Sequence, residues 1–242
     1  MALEKWKQSE VIRILDETEN TKRFTLRIPE VEKFEFKPGQ FITLDLPVHE
    51  KKTKRWRSYS VASPPTDQNE FELVISHVPG GLATTYFWEK VIPGTTIPIR
   101  GPLGNFFLPP NIETELCLVC TGTGIAPYRS MLLDLIRYPR PHKAIHLIFG
   151  TRYLKDILYH GEMEKMASQI PGFHYQLILS RENSPSYTGR IGYVHTVYEE
   201  LFAHKQPAQF YLCGWQNMID EARIRIEQMG YDHSAVHVEL YG

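Results

Sequence analysis

Short runs with a β-strand pattern fill the first half of the chain. They are bounded by Pro or Gly and lie between residue 10 and about residue 108: TKRFTLRI at 21–28, QFITLDL at 40–46, RSYSVAS at 57–63, FELVISHV at 71–78 and TTIPIR at 95–100. One helical segment, at about 82–91, follows the turn PGG. Strands that succeed one another without long helices predict an antiparallel β-barrel.

After a loop at 109–115 the pattern changes. Apolar strand runs (LCLVC, AIHLIFG, HYQLILS and AQFYLCG) alternate with helical stretches near 127–138, 156–168, 194–203 and 215–229. This alternation predicts βαβ units on a parallel sheet that is covered on both faces. We therefore expect two domains, a β-barrel at 1–110 and a Rossmann-like α/β domain at 111–242.

Composition narrows the choice of partners. The 242 residues are 42% hydrophobic, which is enough for two buried cores. The 27 basic and 28 acidic residues leave a net charge of −1, which disfavours nucleic acid and anionic membranes as partners.

The charged start MALEKWKQSE does not resemble a signal peptide, and no apolar run reaches the roughly 18 residues of a membrane span. We expect a cytoplasmic monomer.

The cysteines and histidines do not predict a metal site. Cys117, Cys120 and Cys213 are too few for a disulfide framework or for the four ligands of an iron–sulfur cluster. The C-x-x-C pair can indicate a metal or redox motif, but both of its sulfurs lie in the apolar run LCLVC, so we interpret them as core residues. Histidines such as His146 and His174 show no metal-ligand spacing.

A glycine-containing turn opens the first helix of the second half. It follows the strand run LCLVC and comprises Thr121, Gly122, Thr123 and Gly124, with Pro127 in the first helical turn. Glycines allow the backbone to approach a diphosphate, and a helix N-terminus offers unpaired N–H groups. The turn is interpreted as a nucleotide diphosphate cradle. A tight turn without a ligand remains the alternative, because the third glycine of the usual dinucleotide fingerprint is replaced by proline.

Five segments together resemble one known family, the ferredoxin–NADP reductase superfamily, in which an FAD-binding barrel precedes a nicotinamide-binding α/β domain. They occur in the order of that family: RSYS at 57–60, PGGLAT at 79–84, GTGIAP at 122–127, CG at 213–214 and VELY at 238–241. The resemblance spans residues 57–241, so it covers most of the chain.

The resemblance implies a flavin site on the first two segments. Arg57 would hold a flavin phosphate, Tyr59 would pack on the isoalloxazine or ribityl chain, and the Ser60 hydroxyl would reach the flavin N5 region. The second segment would add an anion site made by Gly81, Leu82, Ala83 and Thr84. The RSYSVAS segment resembles the FAD-using members of the superfamily more than the FMN-using members, and FMN stays open as the alternative.

For the remaining segments, the resemblance implies which residues would surround the nicotinamide. Ser60, Cys213 and Glu239 would hold its C4 carbon near the flavin N5, and Gly214 follows Cys213 at the strand end. Tyr241 would cover the flavin face and move aside before hydride transfer. A buried strand-end thiol at Cys213 and a merely packed Tyr241 are the structural alternatives.

The choice between NADPH and NADH depends on which residues bind the 2′-phosphate, a group that NADPH carries and NADH lacks. Ser180 and Arg181, in a Ser-Arg-Glu segment, resemble NADPH-dependent members, and Arg190 and Tyr193 are candidate helpers. The segment TGRIGYV at 188–194 also resembles NADH-dependent oxygenase reductases. We favour NADPH and keep NADH as the alternative.

The resemblance and these features imply an FAD-dependent NAD(P)H oxidoreductase that passes single electrons to a separate protein, which is ferredoxin, flavodoxin or another one-electron redox protein. Five cations at 51–57, just before the flavin segment, form either a docking patch for an acidic partner or a solvated loop. Two other functions stay open: the NADH-using reductase component of an oxygenase or similar multicomponent system, and a flavin electron-transfer subunit without nicotinamide chemistry.

Overall fold

The computed structural model describes residues 5–241, the last of them by its backbone alone. Contacts divide the chain into two compact units. The first runs to Phe107 and includes Ala126–Asp134, and the second comprises Leu108–Ile125 and the chain from Leu135 onward. The domain boundary near residue 110 remains a prediction.

The first unit is built on a six-stranded antiparallel sheet, in the order β4-β3-β6-β1-β2-β5. Its strands are β1 (Lys7–Thr18), β2 (Thr21–Arg27), β3 (Phe41–Asp45), β4 (Trp56–Ser60), β5 (Glu70–Ser76) and β6 (Thr96–Leu103). The two edge strands approach each other, because the Ala62 N–H just after β4 donates to the Glu72 carbonyl of β5 at 2.8 Å. The unit has two short helices: α1 (Lys52–Arg55) precedes β4, and α2 (Leu82–Glu89) follows β5.

Strand β1 was not among the predicted runs. Its sequence KQSEVIRILDET mixes charged and apolar residues, and only two of its side chains are fully buried. Its pairing with β2 also shifts register between Val11 and Arg13 and between Asp16 and Thr18. These irregularities break the strict alternation by which a strand is found in a sequence.

The second unit is built on a six-stranded parallel sheet, in the order β10-β9-β8-β7-β11-β12. Its strands are β7 (Glu115–Thr121), β8 (Ile145–Thr151), β9 (Phe173–Leu179), β10 (Arg190–Ile191), β11 (Ala208–Trp215) and β12 (Val236–Tyr241). The helices that follow β7 are α3 (Ala126–Arg137), α4 (His160–Gln169), α5 (Val194–Leu201) and α6 (Gln216–Gln228). The two sheets confirm the predicted fold class.

Helix α4 begins later than the predicted stretch at 156–168. Residues Leu154–Asp156 form a separate one-turn 3-10 helix, and Tyr159 has φ of 53°, in the left-handed region. A residue in the left-handed conformation cannot continue a right-handed helix, so α4 starts at His160, directly after Tyr159. Within residues 5–241, no helix combines the length and the apolar composition needed to cross a bilayer.

The order of the parallel strands reverses direction between β7 and β11. Here the 3-10 turn Gly122–Ile125, which follows β7, packs on the end of β11. A Cβ built on Gly124 would lie 2.9 Å from the Gly214 Cα and would collide with the Cys213 carbonyl. A Cβ on Gly214 would lie 3.0 Å from the backbone nitrogen of Thr121, and Gly214 has φ of 136°. Both glycines are therefore required by packing.

We predict that Gly124→Ala lowers the free energy of unfolding by about 1–3 kcal/mol, because the added methyl group overpacks the turn against β11. Gly161→Ala in helix α4 is the matched control, since a Cβ at that position meets no atom within 4 Å. Chemical denaturation of both variants measures the difference. Equal stability of the two variants would contradict this account of the turn.

Candidate functional site

Strand β4 carries the first predicted cofactor segment. Arg57 and Tyr59 project from the same face of the strand, because side chains alternate and these two are two residues apart. On the neighbouring strand β3 they pair with Leu44 and Ile42, which are fully buried. The Arg57 side chain is half-buried, and its Nη1 donates to the Trp56 carbonyl at 2.7 Å. Ser60 ends the strand and is buried.

Tyr59 links this segment to the second predicted cofactor segment. Its ring meets Phe87 of helix α2 edge to face, with ring centroids 6.0 Å apart. Burial raises the pKa of Tyr59 to about 12, and the nearby charge of Arg57 acts in the opposite direction. The phenol is therefore protonated at neutral pH, so it presents a hydrogen-bond donor beside the Arg57 cation.

The turn before helix α2 is held by its own side chain. The Thr84 hydroxyl accepts from the Val78 N–H at 3.1 Å, and a Cβ on Gly81 would lie 2.8 Å from that hydroxyl. Thr84 thus stabilises the turn in addition to its predicted contact with an anion. Gly80 has φ of 76° and a Cβ built on it meets no atom within 4 Å, so the turn can be approached from outside. Leu82 and Ala83 start the helix, where N–H groups have no intrahelical partner.

The glycine turn after β7, like the turn before helix α2, is open on its outer side. Gly122 has φ of 53°, and a Cβ built on it meets no atom within 4 Å. Thr121 and Thr123 are half-buried beside it, and helix α3 begins at Ala126. In open α/β sheets, ligands bind at the carboxyl ends of strands where the strand order reverses. This turn occupies that position, so its backbone fits a nucleotide diphosphate.

The predicted residues of the C-terminal segments come together at the same sheet edge. Cys213 on β11 is paired with Cys120 on β7 at one side and with Glu239 on β12 at the other. Cys213 is fully buried and Glu239 is half-buried. The backbone of Trp215 pairs with the backbone of Tyr241. The Trp215 N–H donates a hydrogen bond to the Thr121 hydroxyl at 3.3 Å.

The prediction for the C-terminal tyrosine falls beyond the residues that the structure describes. The side chain of Tyr241 and the whole of Gly242 lie outside the described residues. The proposed gating by the Tyr241 ring therefore stays a prediction.

The loops after β8 and β9 are joined by backbone hydrogen bonds. The Ser180 N–H donates to the Thr151 carbonyl at 2.9 Å, and the Arg181 N–H donates to the Arg152 carbonyl at 3.0 Å. The side chains of Arg152 and Arg181 are both exposed, and neither has an ion-pair partner among residues 5–241. Arg152 was not predicted from the sequence. It becomes a candidate because strand pairing places it next to Arg181.

Arg190 and Tyr193, the predicted helpers, lie on and after strand β10. Arg190 forms a bidentate ion pair with Glu200, at 2.6 Å and 3.3 Å. Its charge is therefore already balanced in a way that the charges of Arg152 and Arg181 are not. Tyr193 is 69% exposed at the start of helix α5.

Burial makes the thiols of the other two cysteines unreactive. Cys117 and Cys120 are fully buried on β7, and burial raises the pKa of each thiol. Both are therefore neutral core residues at physiological pH. Within the described part of the chain, no three His, Cys, Asp or Glu side chains form a group that could hold a metal ion.

Two family models match successive parts of the chain. The oxidoreductase FAD-binding domain matches residues 8–108, and the oxidoreductase NAD-binding domain matches residues 118–223. The matches confirm the predicted cofactor pair of FAD and a nicotinamide dinucleotide, and they confirm an oxidoreductase activity.

Similar proteins agree with this assignment. Ferredoxin–NADP reductase B of Sorangium cellulosum (strain So ce56) is 36% identical over 217 residues, which cover 86% of each protein. The anthranilate 1,2-dioxygenase electron transfer component of Acinetobacter baylyi is 28% identical over 211 residues, but the chain spans only 60% of its length.

Among solved structures, a ferredoxin NADP⁺ reductase from Neisseria gonorrhoeae has the same fold. Its TM-score is 0.79 at 22% identity, over 97% of this chain and 98% of that one. The family motifs, the two domain matches and the identity to the Sorangium reductase lead to one conclusion. The chain belongs to the ferredoxin–NADP reductase superfamily and is a flavin-dependent NAD(P)H oxidoreductase.

Proposed function

We propose that this reductase uses NADPH and passes electrons singly to a separate ferredoxin or flavodoxin. The observation that carries the choice of NADPH is the pair of exposed arginines on adjoining loops, Arg152 and Arg181. Guanidinium groups bind phosphate monoesters by charge-assisted, often bidentate hydrogen bonds. The similar Sorangium protein, which is named a ferredoxin–NADP reductase, supports the same choice.

The residues of each unit then have distinct tasks. In the first, Arg57 binds the phosphate of FAD, Tyr59 packs on the flavin, and the turn before α2 binds a further phosphate oxygen. In the second, the turn at 121–124 binds the nicotinamide dinucleotide through its amides. FAD, when bound, accepts hydride and releases the two electrons one at a time. A boundary near residue 110 between these parts is supported by the family matches at 8–108 and 118–223.

Cys213 and Glu239 are the proposed positioning groups for the nicotinamide. Both lie at the carboxyl edge of the sheet, beside the end of β7. The small Cys213 side chain leaves room for a ring and offers no strong base that would compete for a proton. Ser60 is proposed to act from the flavin side.

The experiment that tests the proposed function is an anaerobic titration of the FAD-loaded protein. NADPH should bleach the flavin absorption band stoichiometrically, and NADH should do so at a higher concentration. Bleaching by NADH alone would favour the oxygenase-type reductase. Bleaching by neither nucleotide would overturn the nicotinamide chemistry.

We predict that Arg181→Ala raises the KM for NADPH about tenfold, because a charged hydrogen bond to the 2′-phosphate is lost. The KM for NADH should change little, since NADH lacks that phosphate. Arg223→Ala, on the exposed face of helix α6, is the matched control. Steady-state kinetics with a neutral quinone as acceptor measures both constants. Parallel changes with both nucleotides would refute a phosphate contact.

In the structure, the proposed docking patch contains fewer exposed cations than the five that the sequence places there. Lys51, Lys52 and Lys54 are exposed, whereas Arg55 is paired with Asp45. The Lys52 Nζ also lies 5.9 Å from the centroid of the Trp56 ring. Three lysines near the flavin segment can therefore attract an acidic electron acceptor.

Changing Lys51, Lys52 and Lys54 together to Gln should slow electron transfer to an acidic ferredoxin about tenfold at low ionic strength. The difference should shrink at high salt, where surface charges are screened. The same charge change at three other exposed lysines, Lys90, Lys143 and Lys165, is the control. Equal rates for the two triple variants would exclude the patch as a docking site.

The reductase component of an oxygenase is the second candidate function. The segment TGRIGYV at 188–194 favours it, and so does the similarity to the Acinetobacter electron transfer component. Within this segment, the Arg190–Glu200 ion pair leaves no uncompensated charge for a 2′-phosphate, which suits NADH. The exposed Arg181 argues for NADPH instead.

A further inference from the structure

Glu182, the third residue of the Ser-Arg-Glu segment, makes three hydrogen bonds to backbone N–H groups. Its Oε1 accepts from Asn183 at 3.0 Å and from Ser184 at 2.9 Å, both within its own loop. Its Oε2 accepts from Leu154 at 2.9 Å, 28 residues away in the loop after β8. The side chain therefore connects two loops.

The contact with Leu154 satisfies a helix terminus. Leu154 begins the one-turn 3-10 helix Leu154–Asp156, whose first N–H groups have no partner within the helix. These backbone donors, that of Leu154 foremost, lower the pKa of Glu182. The carboxylate is therefore ionised at neutral pH and accepts from both loops at once.

The arginines lie next to these contacts in the chain. Arg181 immediately precedes Glu182, and Arg152 lies two residues before Leu154. Backbone bonds from Ser180 and Arg181 to Thr151 and Arg152 continue the same connection between the loops. The carboxylate completes this connection at the point where it meets the turn of the second loop.

We propose that Glu182 is a positioning residue for NADPH, which holds the loop after β8 against the loop after β9 so that Arg152 and Arg181 meet one phosphate together. This inference rests on the proposed function, because it assumes that the 2′-phosphate binds at Arg181. Glu182 itself does not touch the nucleotide.

Simple charge arguments predict the opposite effect of mutation. A carboxylate near a phosphate repels it, so neutralising Glu182 should strengthen NADPH binding if only charge matters. Positioning predicts weaker binding, because the amide of a glutamine places an NH₂ group where one of the N–H donors requires an acceptor. The direction of the change therefore separates the two explanations.

The test compares Glu182→Gln with wild type in the FAD-loaded protein. We expect the KM for NADPH to rise about fivefold, the value of roughly one net hydrogen bond, with kcat unchanged. The KM for NADH should stay within about twofold. Calorimetric binding of 2′,5′-ADP should weaken by the same factor as NADPH, while binding of ADP without the 2′-phosphate should not. Glu227→Gln on helix α6 is the matched control for the charge change.

A double-mutant cycle with Arg181→Ala shows whether Glu182 acts through that arginine. In the Arg181→Ala background, Glu182→Gln should weaken NADPH binding much less than it does in wild type. Glu182→Asp is the second variant, because its shorter side chain keeps the local bonds but does not reach Leu154. Melting temperature and flavin absorption confirm that each variant is folded and loaded.

The outcomes distinguish the inference from the function on which it rests. If Arg181→Ala selectively weakens NADPH but Glu182→Gln leaves it unchanged or stronger, the positioning role is wrong and the phosphate site stands. If Glu182→Gln weakens NADPH and NADH equally, the positioning role is also wrong. If Arg181→Ala has no selective effect, the proposed phosphate site fails and the inference fails with it.

Discussion

The turn after β7 and the end of β11 approach so closely that neither Gly124 nor Gly214 can carry a side chain. This contact lies where the order of the parallel strands reverses, and it fixes the path of the backbone around Gly122. The same contact leaves the outer side of Gly122 open. A constraint of packing thus produces a backbone surface that a diphosphate can approach, and the neighbouring strand ends supply the other groups of the site.

Much of the fold follows from hydrophobic pattern alone. Buried parallel strands such as β7 are continuous apolar runs, so the alternation of strands and helices in the second half was predictable. The long strand β1 was not, because its polar residues and register shifts obscure the alternation. The late start of α4 depends on the left-handed conformation of Tyr159, which no simple pattern indicates.

The sequence suggests only some of the candidate site residues. Residues within one motif, such as Arg57 with Tyr59 or Gly122 with Gly124, could be proposed together because their spacing is local. Arg152 could not, because only the pairing of β8 with β9 brings it beside Arg181. The Glu182 contact with Leu154 is hidden for the same reason. Long-range pairings of this kind are set by sheet register, which a single sequence does not reveal.

We propose that the carboxyl edge of the parallel sheet binds the nicotinamide dinucleotide through the glycine turn after β7. A crystal structure of the FAD-loaded protein with NADP⁺ would test this proposal. We expect the diphosphate on the backbone amides of the turn at 121–124 and the 2′-phosphate against Arg181. A dinucleotide bound elsewhere, with the Gly122 turn empty, would contradict it.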